Sequence, residues 1–284
     1  MTITVIGATG QQGSAVVLGL LERGAAVRAV TRDPQSDAGV ELAGRGAEVV
    51  AADLNDRDSV RRAFDGAKAA FAMTTFAGPD GTDGEVERGR VIAEAAAAAA
   101  LPFLVYSSVG GAERHTGIPH FESKRRIEEF LEDGEVPVAF VRPTFFMENL
   151  SQMIRTDERP VAVSAPLPDG IPLQMVSVRD IGKVAAAMLL RPHSAPQAIE
   201  IAGDELTGSQ IAERVGAQVG TRATYTEAPL DVLGDDDDQK TMFRWFTQSP
   251  SYRADFDATR RLVPDVENLA TWLHRNLHGR HGDA

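Results

Sequence analysis

The chain has 284 residues, 43% of them apolar, and its 29 basic and 41 acidic side chains give a formal net charge of −12. This length and apolar content predict a folded protein with a large core and exclude global disorder. The absence of cysteine excludes disulfides, thiolate nucleophiles and cysteine-ligated metal centres. The acidic balance argues against nucleic acid as the main partner, because a nucleic-acid-binding face needs basic residues.

The chain begins directly with an apolar strand pattern at Met1–Ile6 and has no basic segment of the kind that opens a secretion signal. No stretch approaches the roughly 18 uncharged apolar residues of a membrane span. We therefore expect a cytoplasmic protein that acts away from membranes.

Residues 1–142 alternate short β-rich runs with helical runs. Strands are predicted at Ile3–Ile6, Ala26–Val30, Ala47–Ala51, Lys68–Met73, Phe103–Tyr106 and Val138–Val141, and helices at Gln12–Arg23, Ser59–Phe64, Val86–Ala100 and Ser123–Glu132. Apolar strands separated by helices predict an α/β fold with a parallel sheet covered on both faces. This is the doubly wound Rossmann arrangement, which binds ligands at the carboxyl ends of its strands.

After Pro143 the alternation loosens, and residues 143–284 are predicted to form a smaller α/β lobe that interleaves with the sheet. In chain order we predict a helix at Phe145–Ile154, a loop at 155–172, a strand at Leu173–Val178, a helix at Asp180–Leu190 that Asp180 caps, a strand at Ala198–Ile201, a helix at Ser209–Val219, a strand at Ala223–Glu227, further helices and a polar tail at Gly279–Ala284. The acidic run Asp235–Asp238 has no clustered histidine nearby, which favours an exposed loop or a helix start over a metal site.

The clearest motif is the glycine-rich run Gly7–Gly13, which follows the first strand and opens the first helix. Gly7 permits a tight turn, Gly10 lets the backbone approach a pyrophosphate, and Gly13 lets the helix pack close to the sheet. The helix N-terminus adds free N–H groups and a positive partial charge. The predicted dinucleotide-binding residues in this run are Gly7, Thr9, Gly10, Gln11, Gln12 and Gly13.

The end of the second strand bears on which dinucleotide binds. An acidic residue at that point holds the ribose 2′-hydroxyl of NAD(H), whereas this chain has Thr31 followed by Arg32. Because a guanidinium can bind a 2′-phosphate through two hydrogen bonds, this pair favours NADP(H). The alternative is that Asp33 turns inward, in which case NAD(H) would fit.

The next two strand ends supply further candidates. Asp53 and Leu54 follow the third strand, where a carboxylate could accept from the adenine amino group and a leucine could lie against the ring. Thr74, Thr75 and Phe76 follow the fourth strand. We expect the two threonines to line the ribose and nicotinamide side of the cofactor, and Phe76 to contact the substrate.

The chain also resembles the NmrA-like, atypical branch of the short-chain dehydrogenase/reductase superfamily, over nearly its whole length. The resemblance rests on the runs Gly7–Gly13, Thr31–Pro34, Ala52–Leu54, Tyr106–Ser108, His120–Lys124, Arg142–Asn149 and Val176–Gly182. The first run is shared by many activities, whereas the run Pro143–Asn149 is more specific to this branch.

In orthodox members of that superfamily, a tyrosine four residues before a lysine protonates the substrate, and a serine orients the carbonyl. The resemblance places the lysine at Lys124 and the serine at Ser107 or Ser108, with His120 in the tyrosine position. Residues four apart share a helix face, so His120 and Lys124 can flank the same nicotinamide. The proton donor is then His120, Lys124 or a water molecule, and Lys124 also contacts the cofactor.

The segment just past the last central strand is expected to close the site. Pro143 and Phe146 are predicted to contact the cofactor, whereas Phe145, Met147 and Asn149 are predicted to line an apolar substrate pocket above the nicotinamide.

Two functions fit this reading. The first is an NADPH-dependent reductase of a small hydrophobic quinone, enone, imine or carbonyl compound. The second is a non-catalytic NADP(H) redox sensor that regulates a partner protein, which is suggested by the missing tyrosine and by the NmrA-like resemblance. Either is expected to act as a monomer or homodimer, without a metal and without direct binding to nucleic acid.

Overall fold

A computed structural model describes residues 2–157, 160–248 and 250–277. The strands are β1 (Thr2–Ile6), β2 (Ala26–Thr31), β3 (Glu48–Ala51), β4 (Ala69–Met73), β5 (Leu104–Ser107), β6 (Val138–Pro143), β7 (Phe145–Phe146), β8 (Ile154–Arg155), β9 (Val161–Ala165), β10 (Leu173–Val176), β11 (Ala198–Ile201), β12 (Asp204–Leu206) and β13 (Ala223–Glu227). The helices are α1 (Gln11–Leu21), α2 (Asp37–Gly44), α3 (Arg57–Phe64), α4 (Gly81–Ala98), α5 (Pro119–Glu132), α6 (Val178–Leu190), α7 (Gly208–Val219), α8 (Asp237–Phe246), α9 (Phe256–Leu262) and α10 (Leu269–Leu277).

The central sheet has seven parallel strands in the order β11-β6-β5-β4-β1-β2-β3. The strand order reverses between β1 and β4, so a crevice opens at the carboxyl ends of these two strands. This topology confirms the predicted doubly wound α/β fold.

Apolar side chains fill both faces of this sheet. On one face, Val16 and Leu20 of α1 pack with Ile181 and Val184 of α6 in a fully buried cluster. The other face is covered by α3, α4 and α5, whose apolar side chains form a second cluster. Because both faces are buried, the strands are apolar on both sides, as the sequence pattern indicated.

The predicted strands of residues 1–142 all overlap observed strands, and all boundaries but one agree within one residue. Two differences matter for the site. Helix α5 begins at Pro119, and not at Ser123 as predicted, so His120 lies on the helix. A further helix, α2, follows β2 and is capped by the side chain of Ser36.

Beyond β6 the chain forms two small sheets, β12-β10-β7 and β13-β9-β8, around a third apolar cluster. This part interleaves with the central sheet, because β11 pairs with β6 and α6 packs on α1. The helix predicted at Phe145–Ile154 is wrong at its start, where Phe145–Phe146 form a strand that pairs with β10, and the residues that follow, Met147–Gln152, form a 3₁₀ helix and not an α-helix. The predicted loop at 155–172 contains β9.

The start of α6 also differs from the prediction. Ser177, and not Asp180, caps this helix by accepting the N–H of Asp180. The Asp180 carboxylate is fully buried and accepts the N–H of Glu267 at 2.7 Å, so it ties α6 to the segment before α10. The polar tail Gly279–Ala284 lies outside the described residues.

Candidate functional site

The glycine-rich turn between β1 and α1 has a backbone that only glycine can supply at two positions. Gly7 adopts a φ of +70°, in the left-handed region. A Cβ on Gly13 would lie 2.0 Å from the carbonyl oxygen of Gly7, so any larger residue would clash with backbone. This close approach brings the N-terminus of α1 against the turn, where its first amide N–H groups have no partner within the helix.

A cleft of about 920 Å³ opens beside this turn, at the carboxyl ends of β1 to β4. The predicted cofactor-binding residues that line it are Gly7, Thr9, Gly10, Thr31, Arg32, Asp53, Leu54 and Thr75. Gln11 instead lines a smaller cavity of about 430 Å³ between α1 and α6. The cleft therefore brings together residues from four separate strand ends.

The end of β2 presents an arginine to this cleft. Arg32 is exposed and lines the cleft. The neighbouring Asp33 also lines the cleft, but its carboxylate accepts the N–H of Gln35 at 2.9 Å, within a local turn. Thr31 is buried, and its hydroxyl lies 3.3 Å from that of Thr9 across the turn.

The end of β3 is held by a local turn as well. One carboxylate oxygen of Asp53 accepts both the backbone N–H and the side-chain amide of Asn55 at 2.9 Å. Leu54 is half-buried beside it. Asp53 thus lies at the cleft wall with one oxygen occupied by Asn55.

Arg88, on the second turn of α4, also lines the cleft, although it is not among the residues predicted from the sequence. Its guanidinium donates to the carbonyl oxygen of Thr75 at 2.8 Å. Its Nε is buried and, among the described residues, has no hydrogen-bond partner. The only sequence signal was its place on the helix after β4, which is too weak to single out one basic residue among several.

A network of buried polar side chains lies behind the end of β4, and Lys124 is at its centre. The ammonium of Lys124 lies 3.0 Å from a carboxylate oxygen of Glu85 and donates to the carbonyl oxygen of Thr74 at 2.7 Å. It also lies 3.5 Å from the hydroxyl of Tyr106, which is 2.7 Å from that of Thr74. Ser123 donates to the second oxygen of Glu85. All five side chains are buried.

The electrostatics of this network keep Lys124 charged. Burial disfavours the ammonium, but its hydrogen bond to the Tyr106 hydroxyl and the charge and hydrogen bond of Glu85 outweigh burial, and the pKa of Lys124 is raised. Burial also raises the pKa of the Tyr106 hydroxyl, which therefore stays protonated near neutrality. The network is thus a buried lysine–glutamate ion pair with hydroxyl groups around it.

The two candidate serines at the end of β5 have different surroundings. Ser107 donates to the side-chain oxygen of Gln12 at 2.6 Å, which links β5 to the first turn of α1. The hydroxyl of Ser108 is buried and has no hydrogen-bond partner among the described residues. An unpaired buried hydroxyl is unfavourable unless a ligand or water satisfies it.

His120 is held by groups from three directions. Its ring stacks on Phe76 with centroids 4.9 Å apart and meets the edge of Phe121 at 4.7 Å. Its Nδ1 is hydrogen-bonded to the carboxylate of Asp238, which also accepts the backbone N–H of His120 at 2.9 Å. Asp238 belongs to the acidic run Asp235–Asp238, whose interpretation as a helix start is confirmed, since α8 begins there.

The segment after β6 lies mostly in the core. Phe145 and Met147 are buried in the third apolar cluster, and Asn149 is exposed on the 3₁₀ turn. Pro143 is buried, and Phe146 packs against the cluster of α1 and α6. Their roles in binding cofactor or substrate stay predictions.

The described residues contain neither a cluster of metal ligands nor a helix that could span a membrane. No group of three or more histidine or acidic side chains there is placed to hold a metal ion. None of the helices in the same ranges is both long and apolar enough to cross a bilayer.

Comparison with known proteins shows which family the chain belongs to. The model of the NmrA-like family matches residues 1–263. The chain belongs to the NmrA-like family. The predicted resemblance is therefore confirmed.

Relatives of this NmrA-like protein include a (4-alkanoyl-5-oxo-2,5-dihydrofuran-3-yl)methyl phosphate reductase of Streptomyces griseus subsp. griseus. It is 31% identical over 231 residues, which cover 81% of this chain and 78% of the relative. The chain also matches fungal NmrA-like oxidoreductases, but spans less than half of their length.

Solved structures share the fold. An NADPH-dependent quinone oxidoreductase from Escherichia coli, QOR2, solved with NADPH, has a TM-score of 0.81 at 20% identity, covering 98% of this chain and 100% of that one. NmrA, a negative transcriptional regulator solved with NADP, has a TM-score of 0.82 at 20% identity, covering 98% and 96%. At this identity the likeness describes the fold.

Proposed function

We propose that this NmrA-like protein is an NADPH-dependent reductase of a small hydrophobic quinone, enone, imine or carbonyl compound. The observation that carries the proposal is a cleft at the strand ends whose glycine turn and Arg32 suit a phosphorylated dinucleotide. Lys124 and His120 do not line this cleft themselves. They contact Thr74 and Phe76, which follow β4 at its edge. Residues 1–142 would bind the cofactor, and residues 143–284 would close over the substrate.

The residues of the cleft fit NADP(H). The amides at the start of α1, which the close approach of Gly13 to Gly7 leaves beside the turn, would hold the pyrophosphate. Arg32 would hold the 2′-phosphate, because it is the exposed guanidinium at the end of β2. The NAD(H) alternative needs an inward carboxylate, whereas one oxygen of Asp33 is occupied by the N–H of Gln35. Leu54 and Arg88 would contact the adenine side.

Bound NADPH would supply a hydride to the acceptor, so the chain itself needs only to orient the reactants and provide a proton. The hydroxyl of Ser108, buried and unpaired, would donate a hydrogen bond to a polar group of the cofactor or the acceptor. The fixed charge of Lys124 would stabilise negative charge that develops on the acceptor.

The relatives support the reductase over the sensor. The Streptomyces relative, which the chain covers over 78% of its length, is named as a reductase, and QOR2 as a quinone oxidoreductase. The sensor alternative rests on the fold shared with NmrA and on the missing tyrosine. His120 stands in the position of that tyrosine. The absence of the tyrosine therefore does not leave this helix face without a proton donor.

The test is oxidation of NADPH, followed at 340 nm with the purified protein and a panel of quinones, enones, imines and aromatic ketones. We expect turnover with at least one apolar acceptor and much weaker turnover with NADH. The control is the double variant Lys124→Met with Glu85→Gln, which removes both charges of the buried pair together. Turnover by the protein no faster than by this control would overturn the proposal. If the protein shows no such turnover but binds NADP and NADPH with different affinities, the result would favour the redox sensor.

A further inference from the structure

The carboxylate of Asp238 contacts His120 at two places, although the residues are 118 positions apart. One oxygen accepts the backbone N–H of His120, and the other is hydrogen-bonded to Nδ1 of its ring. Both side chains are mostly buried, at 15% exposure for His120 and 18% for Asp238. The contact joins α8, in the second half of the chain, to the start of α5.

Neither helix requires Asp238 to satisfy the free N–H groups of its first turn. Asp236 caps α8 by accepting the N–H of Gln239, so Asp238 is not required there. The N–H of His120 lacks a partner within α5 because it lies in the first turn, and water could satisfy it at a surface. The second contact, to the ring, is therefore the one that requires an explanation.

The contact to Nδ1 determines which ring nitrogen can exchange a proton. An ionised carboxylate only accepts hydrogen bonds, so Nδ1 must carry a hydrogen. Proton exchange with a ligand then occurs at Nε2. The stacked Phe76, which is 41% exposed at the end of β4, fixes the plane of the ring beside the row of strand ends.

Lys124, the other candidate donor, is arranged differently. An ammonium has three N–H groups, and Lys124 has acceptors for all of them in the carboxylate of Glu85 and in the carbonyl and hydroxyl oxygens of Thr74. To protonate a substrate it would have to break a buried ion pair. Its raised pKa also makes it a weaker acid near neutrality.

We propose that Asp238 is a positioning residue that orients His120 as the proton donor of the reduction, while Lys124 acts as a fixed charge. The inference rests on the proposed reductase function. In the donating step the protonated ring keeps its Nδ1–H on Asp238. Its Nε2–H bond breaks as a new bond from that proton to the acceptor oxygen or nitrogen forms. Bound NADPH would supply the hydride, and the neutral ring would regain its proton from the solvent.

The first test needs no turnover. Long-range ¹H–¹⁵N NMR spectra of the labelled protein report which nitrogen of each neutral imidazole carries hydrogen, and His120→Gln assigns the signal among the six histidines. We expect Nδ1–H for His120 in the wild type. In Asp238→Asn the amide can donate to Nδ1, so we expect Nε2–H. A wild-type ring with its hydrogen on Nε2 would overturn the inference even if the protein proves to be a reductase.

The second test is kinetic. Asp238→Asn should lower kcat about 100-fold, a typical contribution of general acid catalysis, with the KM for the acceptor within about twofold. Asp238→Glu should restore part of the rate, and the neighbouring Asp237→Asn, exposed on the same turn, should behave as the wild type. Thermal unfolding confirms that each variant folds. An unchanged kcat in Asp238→Asn would overturn the inference, whereas failure of the wild type to turn over any acceptor would overturn only the reductase proposal.

Discussion

At the end of β2 two neighbouring side chains of opposite charge face the same cleft. Arg32 is exposed and lines the cleft, whereas Asp33 accepts the N–H of Gln35 in a local turn. A guanidinium with room to move can meet a 2′-phosphate, while a carboxylate in that turn is less able to reach a ribose hydroxyl. Selection of NADP(H) would therefore depend largely on one residue.

Arg32→Ala should raise the KM for NADPH about 10- to 100-fold, because hydrogen bonds to a charged group contribute about 1.5–3 kcal/mol. The KM for NADH should change little, since NADH has no 2′-phosphate. Steady-state kinetics with both cofactors measures the two values. Arg45→Ala, an exposed arginine paired with Glu41 on α2, serves as the control. Equal losses with both cofactors would contradict this role of Arg32.

Single residues of the site differ in how well the sequence predicts them. The glycines of the first turn follow local spacing, which a strand–turn–helix preserves. The family resemblance indicates His120 and Lys124, and their spacing of four residues places both on one helix face. Asp238 could not be found in this way, because its partner is 118 residues away and the acidic run around it resembles any helix start. Arg88 was missed for a similar reason: only the folded chain brings α4 to the cleft.

At the scale of elements, the central feature is the contact of α4 with α5 behind the end of β4. Each helix contributes one charge to this contact, Glu85 from α4 and Lys124 from α5, and the ions lie 3.0 Å apart. Glu85 is fully buried, so a lone carboxylate or a lone ammonium there would have little access to water. The two helices therefore depend on each other for charge balance.

Replacing one member of this pair should destabilise the fold more than replacing both. Glu85→Gln alone should lower the free energy of unfolding by about 3 kcal/mol or more, because it leaves a buried ammonium without its counter-ion. Adding Lys124→Met should recover most of that loss. Urea unfolding of the two single variants and the double variant gives the coupling energy.

The exposed pair Glu41 and Arg45 provides the matched control for these variants. Its coupling energy, measured in the same way, should stay below about 1 kcal/mol. Additive losses from Glu85→Gln and Lys124→Met would contradict a coupled buried pair.

Element type was predictable where the pattern was long and regular. The strands of the central sheet are apolar on both faces, and that pattern sufficed to place them. The sequence of the segment Phe145–Ile154 looks helical. In the fold, pairing of Phe145 and Phe146 with β10 overrides that preference. A two-residue strand has no period of its own to detect.

At the scale of the whole molecule, ion pairs connect the last described helix, α10, to α6. Glu267 is buried before α10 and lies 2.7 Å from Arg275 and 3.3 Å from Arg179. Burial raises the pKa of Glu267, but hydrogen bonds and charge from Arg275 outweigh it, and the net pKa is lowered. The chain thus folds back onto α6, whose other face packs against α1.

This lowered pKa predicts a pH-dependent contribution to stability. A carboxylate with a lower pKa in the folded state stabilises the fold above its unfolded pKa, about 4.3, and loses that effect as the pH falls through the folded value. Wild type should therefore exceed Glu267→Gln by about 1–2 kcal/mol at pH 7, and the gap should close toward pH 3. Urea unfolding across this range measures the difference.

Asp257→Asn, which removes an exposed carboxylate paired with Arg260, should show no such gap. A difference between wild type and Glu267→Gln that persists unchanged at pH 3 would contradict the ionic origin of the effect.

The net charge of −12 bears on the whole surface and says little about the cleft. A strongly anionic cofactor would be bound against that overall charge by backbone amides and by Arg32. The sequence could indicate this local site because the glycine turn is short and contiguous. It could not indicate how the second half contacts the first, since that depends on pairs such as Asp238 with His120 and Glu200 with Arg114.

The measurement that tests the central claim most directly is hydride transfer itself. The protein would be incubated with NADPH deuterated at one or the other face of nicotinamide C4, together with an enone or aromatic ketone acceptor, and the product analysed by mass spectrometry. We predict that deuterium from one face only appears on carbon in the product. Consumption of NADPH without label in the product, or no product with any acceptor, would contradict a reductase.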